Sequence, residues 1–228
     1  MVALITGAAS DIGKSIALNL NNNGYDLVLL YHNKEIDYLD RLNNAKVFKC
    51  DISNEEEVKN IIKSIENIDV LLNIAAISMD NEIKNKSKEE FMKVLEVNLV
   101  GTFLMTKYAV NKMDKGTVIN LSSLDSTKTF NSLSVDYIAS KAGINTLTKT
   151  FSLEYRDIRF ITLLLPWIST SSVLEMNPEY LNEEMTKYKQ NRLMEVDEVS
   201  KVIIDTINSN IESGSIIEVN YDWYRNNC

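Results

Sequence analysis

Tyr137 and Lys141 stand four residues apart in the run YIASK. On a helix that spacing puts both side chains on one face. A phenol is a weak acid with a pKa of about 10, and an ammonium beside it favours the phenolate and draws the pKa down. A tyrosine tuned toward neutrality can exchange a proton with a carbonyl or alcohol oxygen. Alone, the pair is a common helical spacing. Two upstream features give it company. The apolar run VINLSS (118–123) ends in two serines, and Ser123 lies 14 residues before Tyr137. Asn98 sits inside the apolar stretch EVNLVGTF (96–103), where a buried amide must find hydrogen-bond partners.

The elements that must position these residues are legible as seven apolar runs, at 2–6, 26–31, 45–50, 69–76, 116–122, 159–165 and 215–220. Most are apolar throughout, as strands covered on both faces are. Helical spacing fills the gaps, as in 89–112 (Phe91, Val94, Leu95, Leu99, Leu104, Tyr108) and 137–155 (Ile144, Leu147, Phe151). Strands alternating with helices imply right-handed crossovers and a parallel sheet, with ligands bound beyond the carboxyl ends of the strands. The stretch GAASDIGKS (7–15) lies at such an end and opens a helix over about 12–22, where free N–H groups and the helix dipole suit a phosphate. Two phosphate loops can be read in it. A P-loop requires glycine at Ala8, and a dinucleotide loop usually has glycine at Asp11.

Composition narrows the chemistry. The 228 residues suit one α/β domain with a large core. A net charge of −8 without a basic run argues against nucleic-acid or anionic-membrane partners. No apolar run reaches the length of a membrane span, and the amino terminus does not read as a signal peptide, so a cytoplasmic protein is expected. His32 is the single histidine, so a multi-histidine metal site is impossible and no metal is expected. Cys50 and Cys228 read as two free thiols.

In order and spacing these features resemble the short-chain dehydrogenase/reductase family, in its shorter single-domain branch, nearly from end to end. The residues that carry the resemblance are Thr6-Gly7 with Gly13, Asp51, Asn73 with Ala75, Asn98, Ser123, Tyr137 with Lys141, and Pro166. The resemblance implies a doubly wound Rossmann-like α/β fold, a seven-stranded parallel sheet with helices on both faces, in one domain over 1–228. It implies a nicotinamide dinucleotide and hydride transfer between a carbonyl and an alcohol, chemistry that belongs to the cofactor while the protein orients it. Tyr137 becomes the general acid/base. Lys141 lowers its pKa and binds the nicotinamide ribose, Ser123 bonds the substrate oxygen, and Asn98 holds a water in a relay with Lys141. Cofactor contacts fall to Gly7, Ser10, Asp11, Ile12 and Gly13 in the loop. Tyr31, His32, Asp51, Ile52, Asn73 and Ala75 serve on the adenosine side, and Tyr137, Lys141, Pro166, Trp167, Ile168 and Thr170 toward the nicotinamide.

The sequence departs from the family pattern at four places. Asp11 replaces the middle glycine, for which a left-handed backbone, a helix-capping role or a favourable place at the positive end of the helix is the expected accommodation. NIAA (73–76) replaces N-N-A-G, Trp167 follows Pro166 where glycine is expected, and the serine-to-tyrosine gap is one residue long, leaving Ser122 or Ser123 as the functional serine. Tyr31 stands where an acid would hold the ribose 2′-hydroxyl of NAD(H), and His32 and Lys34 follow. This favours NADP(H). Residues 169–193 match the family's substrate-covering segment, and 191–207 resemble 3-oxoacyl-[acyl-carrier-protein] reductases. A small-molecule or acyl-carrier-linked carbonyl substrate and a homodimer or homotetramer are therefore expected. The alternatives are a P-loop NTPase and a non-catalytic dinucleotide-binding module.

Overall fold

The computed structural model describes residues 1–219 of the chain. Asn220, the end of the seventh expected strand, and the tail through Cys228 lie outside the described residues. Seven strands form one sheet: β1 (Val2–Thr6), β2 (Asp26–Tyr31), β3 (Ala45–Lys49), β4 (Val70–Asn73), β5 (Gly116–Ser123), β6 (Ile158–Leu165) and β7 (Ser215–Glu218). All pairs are parallel, in the order β3-β2-β1-β4-β5-β6-β7. The chain winds outward from β1 to β3, then returns to the other side of β1 with β4. That reversal opens a crevice at the carboxyl ends of β1 and β4.

The doubly wound architecture follows from alternation along buried strands. Ala3 and Ile5 of β1 join one core with Ile16, Ala17 and Leu20 of helix α1 (Asp11–Asn22) and Val199, Val202 and Ile203 of helix α8 (Val196–Asn208). Leu4, between them, joins the opposite core with Val58 and Ile62 of α2 (Glu55–Lys63) and Leu104 and Met105 of α4 (Gly101–Ala109). The remaining helices are α3 (Lys88–Leu95), α5 (Val135–Glu154), α6 (Ser171–Leu174) and α7 (Pro178–Lys187).

Two local features differ from the sequence reading. Helix α1 begins at Asp11, and its cap is Ser10, whose Oγ accepts from Gly13 N at 3.0 Å. Asp11 therefore neither caps the helix nor takes a left-handed backbone, since Lys189 is the only described non-glycine residue with positive φ. The expected helix 89–112 is interrupted by a π-helical stretch, Glu96–Val100, centred on Asn98. Beneath the crevice a polar row crosses the sheet in register, Thr6–Asn73–Asn120–Thr162. It is bound by Asn73 Nδ2 to Asn120 Oδ1 (2.8 Å), Asn120 Nδ2 to Thr148 Oγ1 (2.8 Å) and Thr148 to Thr162 (2.6 Å).

Candidate active site

A cavity of about 350 Å³ lies at the carboxyl end of the sheet. Of the expected residues, Ser10, Ile12, Ser122, Ser123, Tyr137, Lys141, Pro166, Trp167, Ile168 and Thr170 line it. They come from α1, β5, α5 and the segment after β6, which approach only through the sheet topology. The other expected residues do not line it.

The Tyr137–Lys141 pair forms as the helical spacing requires. Lys141 is 3% exposed, its Nζ lies 5.4 Å from the Tyr137 ring centroid, and it donates to Leu121 O at 2.8 Å. The electrostatics reverse the expectation. Burial draws Lys141 down to about 8. Burial, then the carboxylates of Asp125 and Asp80, push the Tyr137 phenol above its ordinary value. The ammonium does not win because desolvation penalises both charged forms and two acids face the phenol. The backbone before the phenol is firmly held. Tyr137 N donates to Asp136 Oδ1 at 2.9 Å, and Asp136 Oδ2 pairs with Lys86 Nζ at 2.8 Å, with side chains 0% and 4% exposed.

The two serines differ. Ser122, 3% exposed, donates its hydroxyl to Lys141 O at 3.1 Å. Ser123 is half-buried and faces Asp125, to whose Oδ2 its hydroxyl donates at 3.2 Å. Three further expected residues are packed within the protein. Asn98 is fully buried with its amide engaged: Oδ1 accepts from Ile77 N (2.8 Å), and Nδ2 donates to Ile77 O (2.9 Å) and Ser140 Oγ (3.1 Å). Its side chain fastens the chain after β4. Asn73, 4% exposed, points into the polar row and to Thr106 Oγ1. Ile52 is buried under Gly101.

The glycine loop is held by close packing. Gly7 has φ +66°, and a Cβ there would sit 2.8 Å from Ala75 Cα; one at Gly13 would sit 2.3 Å from Gly7 O. Thr6 Oγ1 accepts from Ile74 N and Ala75 N (3.0 and 3.1 Å), which fixes the NIAA turn against this loop. Asp11 turns its carboxylate to Ser171 N at 2.6 Å, and this hydrogen bond is the leading cause holding its pKa below the usual carboxylate value. Lys14 pairs with Asp37 at 3.0 Å. At the end of β2, beside Tyr31, His32 Nε2 lies 3.9 Å from Asp51 Oδ2, and Asp51 accepts from the Ser53 hydroxyl at 2.6 Å.

Sequence reasoning did not single out four contributors. Asp125 and Tyr188 line the cavity and bond to each other. Gln190 clamps the backbone of Trp167, accepting from its N–H (3.1 Å) and donating to its carbonyl (2.7 Å), which compensates for the missing glycine. The Lys86–Asp136 pair was the fourth. None belongs to a motif, and their partners lie 23 to 63 residues away.

The donor set fits a dinucleotide. The amino end of α1 points its free N–H groups into the crevice, Asp11 has its charge turned aside, and the buried Lys141 ammonium has one acceptor for three N–H bonds. The indole Nε1 of Trp167 is a buried donor without a hydrogen-bond partner among the described residues.

The family model described as short chain dehydrogenase matches residues 1–181. The chain is 34% identical over 160 residues to 3-oxoacyl-[acyl-carrier-protein] reductase FabG of Rickettsia prowazekii, covering 67% of this chain and 65% of that protein, just under two thirds of its length. It is 28% identical over 216 residues to the protein of that name from Vibrio cholerae, covering 89% and 87%. It is also 32% identical over 187 residues to an uncharacterized oxidoreductase of Thermotoga maritima, covering 75% and 72%. In fold it is similar to the ligand-free aldohexose dehydrogenase of Thermoplasma acidophilum, with a TM-score of 0.83 at 23% identity over 96% of this chain and 91% of that one. With the ordered residues and the sheet in agreement with this match, the chain belongs to the short-chain dehydrogenase family.

Proposed function

We propose that the protein is an NADP(H)-dependent oxidoreductase that reduces a ketone, in the first instance a 3-oxoacyl compound, to the alcohol. The carrying observation is the convergence of Tyr137, Lys141 and Ser123 on one cavity at the carboxyl ends of β5 and β6. When bound, the reduced nicotinamide supplies the hydride. Tyr137 gives its proton to the substrate oxygen; burial raises its pKa, which keeps it protonated but makes it a weaker acid than the resemblance implies. Ser123, with its hydroxyl at the cavity, is the serine that meets the substrate oxygen; Ser122 braces the helix of Lys141. Lys141 directs its remaining N–H bonds to ribose hydroxyls. Asn98 acts as a positioning residue through Ile77.

Residues 1–228 act as one domain, with 169–193 as the substrate cover. Tyr31 and His32 in place of an acid after β2 support NADP(H), and the names of the relatives support the 3-oxoacyl substrate. A homodimer or homotetramer is supported by apolar side chains left exposed on α3, the Glu96–Val100 stretch, α4 and α5: Met92, Val100, Phe103 and Leu153. No helix among the described residues is long and apolar enough to cross a membrane.

The test is NADPH and NADH titration followed by NADPH oxidation with a panel of ketones, in wild type and Tyr137→Phe. The reading expects tighter NADPH binding and turnover that Tyr137→Phe removes. Equal turnover in both proteins sinks the mechanism. Cofactor binding without turnover of any ketone supports a non-catalytic binding module instead.

A further inference from the structure

Asp125 stands two residues beyond the serine, on the turn that leaves β5, and is the most connected acid in the cavity. Its Oδ2 accepts from the Ser123 hydroxyl at 3.2 Å, while its own N–H donates to Ser123 Oγ at 3.2 Å. Its Oδ1 accepts from Thr129 Oγ1 at 3.0 Å and from the hydroxyl of Tyr188. Tyr188 arrives from the far end of α7, in the segment 169–193 that crosses the cavity. That segment is closed at its base by Gln190 on Trp167 and by the bridge between Ile168 and Met194, and its start is held by Ser171 on Asp11. Tyr188 on Asp125 fastens its distal end.

We propose that Asp125 is a positioning residue that couples the seating of the 169–193 segment to the catalytic serine. The coupling rests on the reading of Ser123 given above. It works through two oxygens of one carboxylate. One holds the cover through Tyr188. The other takes the Ser123 hydroxyl hydrogen, which must turn from Asp125 to the substrate oxygen when a carbonyl enters. A substrate that seats the cover thereby sets the serine rotamer.

The two oxygens are separable. Tyr188→Phe frees the cover but leaves the carboxylate on Ser123, so it raises KM and spares kcat, whereas loss of the Asp125 carboxylate also frees the Ser123 hydroxyl and lowers kcat.

The experiment compares wild type, Asp125→Asn, Asp125→Ala, Tyr188→Phe and Tyr137→Phe. It reads kcat and KM of NADPH-dependent reduction of a 3-oxoacyl ester and the rate of limited proteolysis within 169–193. Cleavage several-fold faster in Tyr188→Phe and in both Asp125 variants, with KM raised in all three and kcat lowered several-fold in the Asp125 variants alone, is the expected result. Unchanged cleavage in Tyr188→Phe overturns the tether. An unchanged kcat in both Asp125 variants, while Tyr137→Phe is inactive, overturns the coupling to the serine. If wild type reduces none of the ketones of the earlier panel, the functional reading itself fails, and the proteolysis rates still decide the tether.

Discussion

The two ends of the cleft are built by different means. At the carbonyl end, β5 and α5 present side chains held in networks: Lys141 on Leu121 O, Ser122 on Lys141 O, Ser123 on Asp125, and Tyr137 N on Asp136. At the dinucleotide end, the loop between β1 and α1 offers backbone shape: a left-handed Gly7, a Gly13 with no room for a Cβ, and the open amino end of α1. The ionic side chains there turn to one another or to neighbouring backbone, Asp11 to Ser171 N, Lys14 to Asp37 and His32 to Asp51. Recognition by backbone depends little on side-chain identity, which is why Asp11 and Ile74 are accommodated at one end while Tyr137, Lys141 and Ser123 stand unchanged at the other.

The comparison can be broken at the carbonyl end first. Tyr137→Phe removes the proton donor and should lower turnover about 10²- to 10⁴-fold, read by NADPH oxidation, with folding intact by circular dichroism. A loss under tenfold removes the assigned role. At the dinucleotide end the largest effect should follow Gly13→Ala. Its new Cβ meets Gly7 O and Ala8 Cα, both backbone atoms that cannot step aside. A stability loss on the order of 3 kcal/mol in chemical denaturation is expected, with a matching loss of dinucleotide affinity by calorimetry.

Lys141→Met separates function from stability. A lysine that holds its proton only to about 8 in the fold and to its ordinary 10.5 when unfolded destabilises the folded state below pH 8, by about 3 kcal/mol. The unfolded chain binds the extra proton between those values, so wild-type stability should rise with pH from about 8 to 10.5. The variant should be inactive, more stable at pH 7, and without that rise. An unchanged slope across this window would show that Lys141 is not desolvated. The smallest effect is expected of Asp11→Gly: NADPH affinity about fivefold tighter through lost phosphate repulsion, with faster cleavage near Ser171. Weaker binding would make Asp11 a direct cofactor contact.

The sheet was legible because buried parallel strands are continuous apolar runs separated by amphipathic helices, and all seven appear within a few residues of their expected ends. Tyr137 with Lys141 was legible because its spacing is a local property of one helix. For Asn98 and Asn73 the motif gives a position and not what the amide faces once Ile77 or Asn120 arrives from another element. Asp125 and Tyr188 were invisible for a stronger form of the same reason. Their meeting is set by where α7 lands on the β5 turn, 63 residues along the chain, and no periodicity records that.

The Lys86–Asp136 pair carries a consequence for ionic strength. Lys107–Glu55 and Lys59–Glu56 are exposed to counterions, and about a tenth-molar salt already screens such pairs over roughly 10 Å. Lys86 and Asp136, shut away from solvent, are reached by almost none of that ion atmosphere. Brine would strip the outside of the molecule of its attractions while the amide of Tyr137 kept the same acceptor, so the proton-transfer end of the cleft should perform alike in dilute buffer and in concentrated salt.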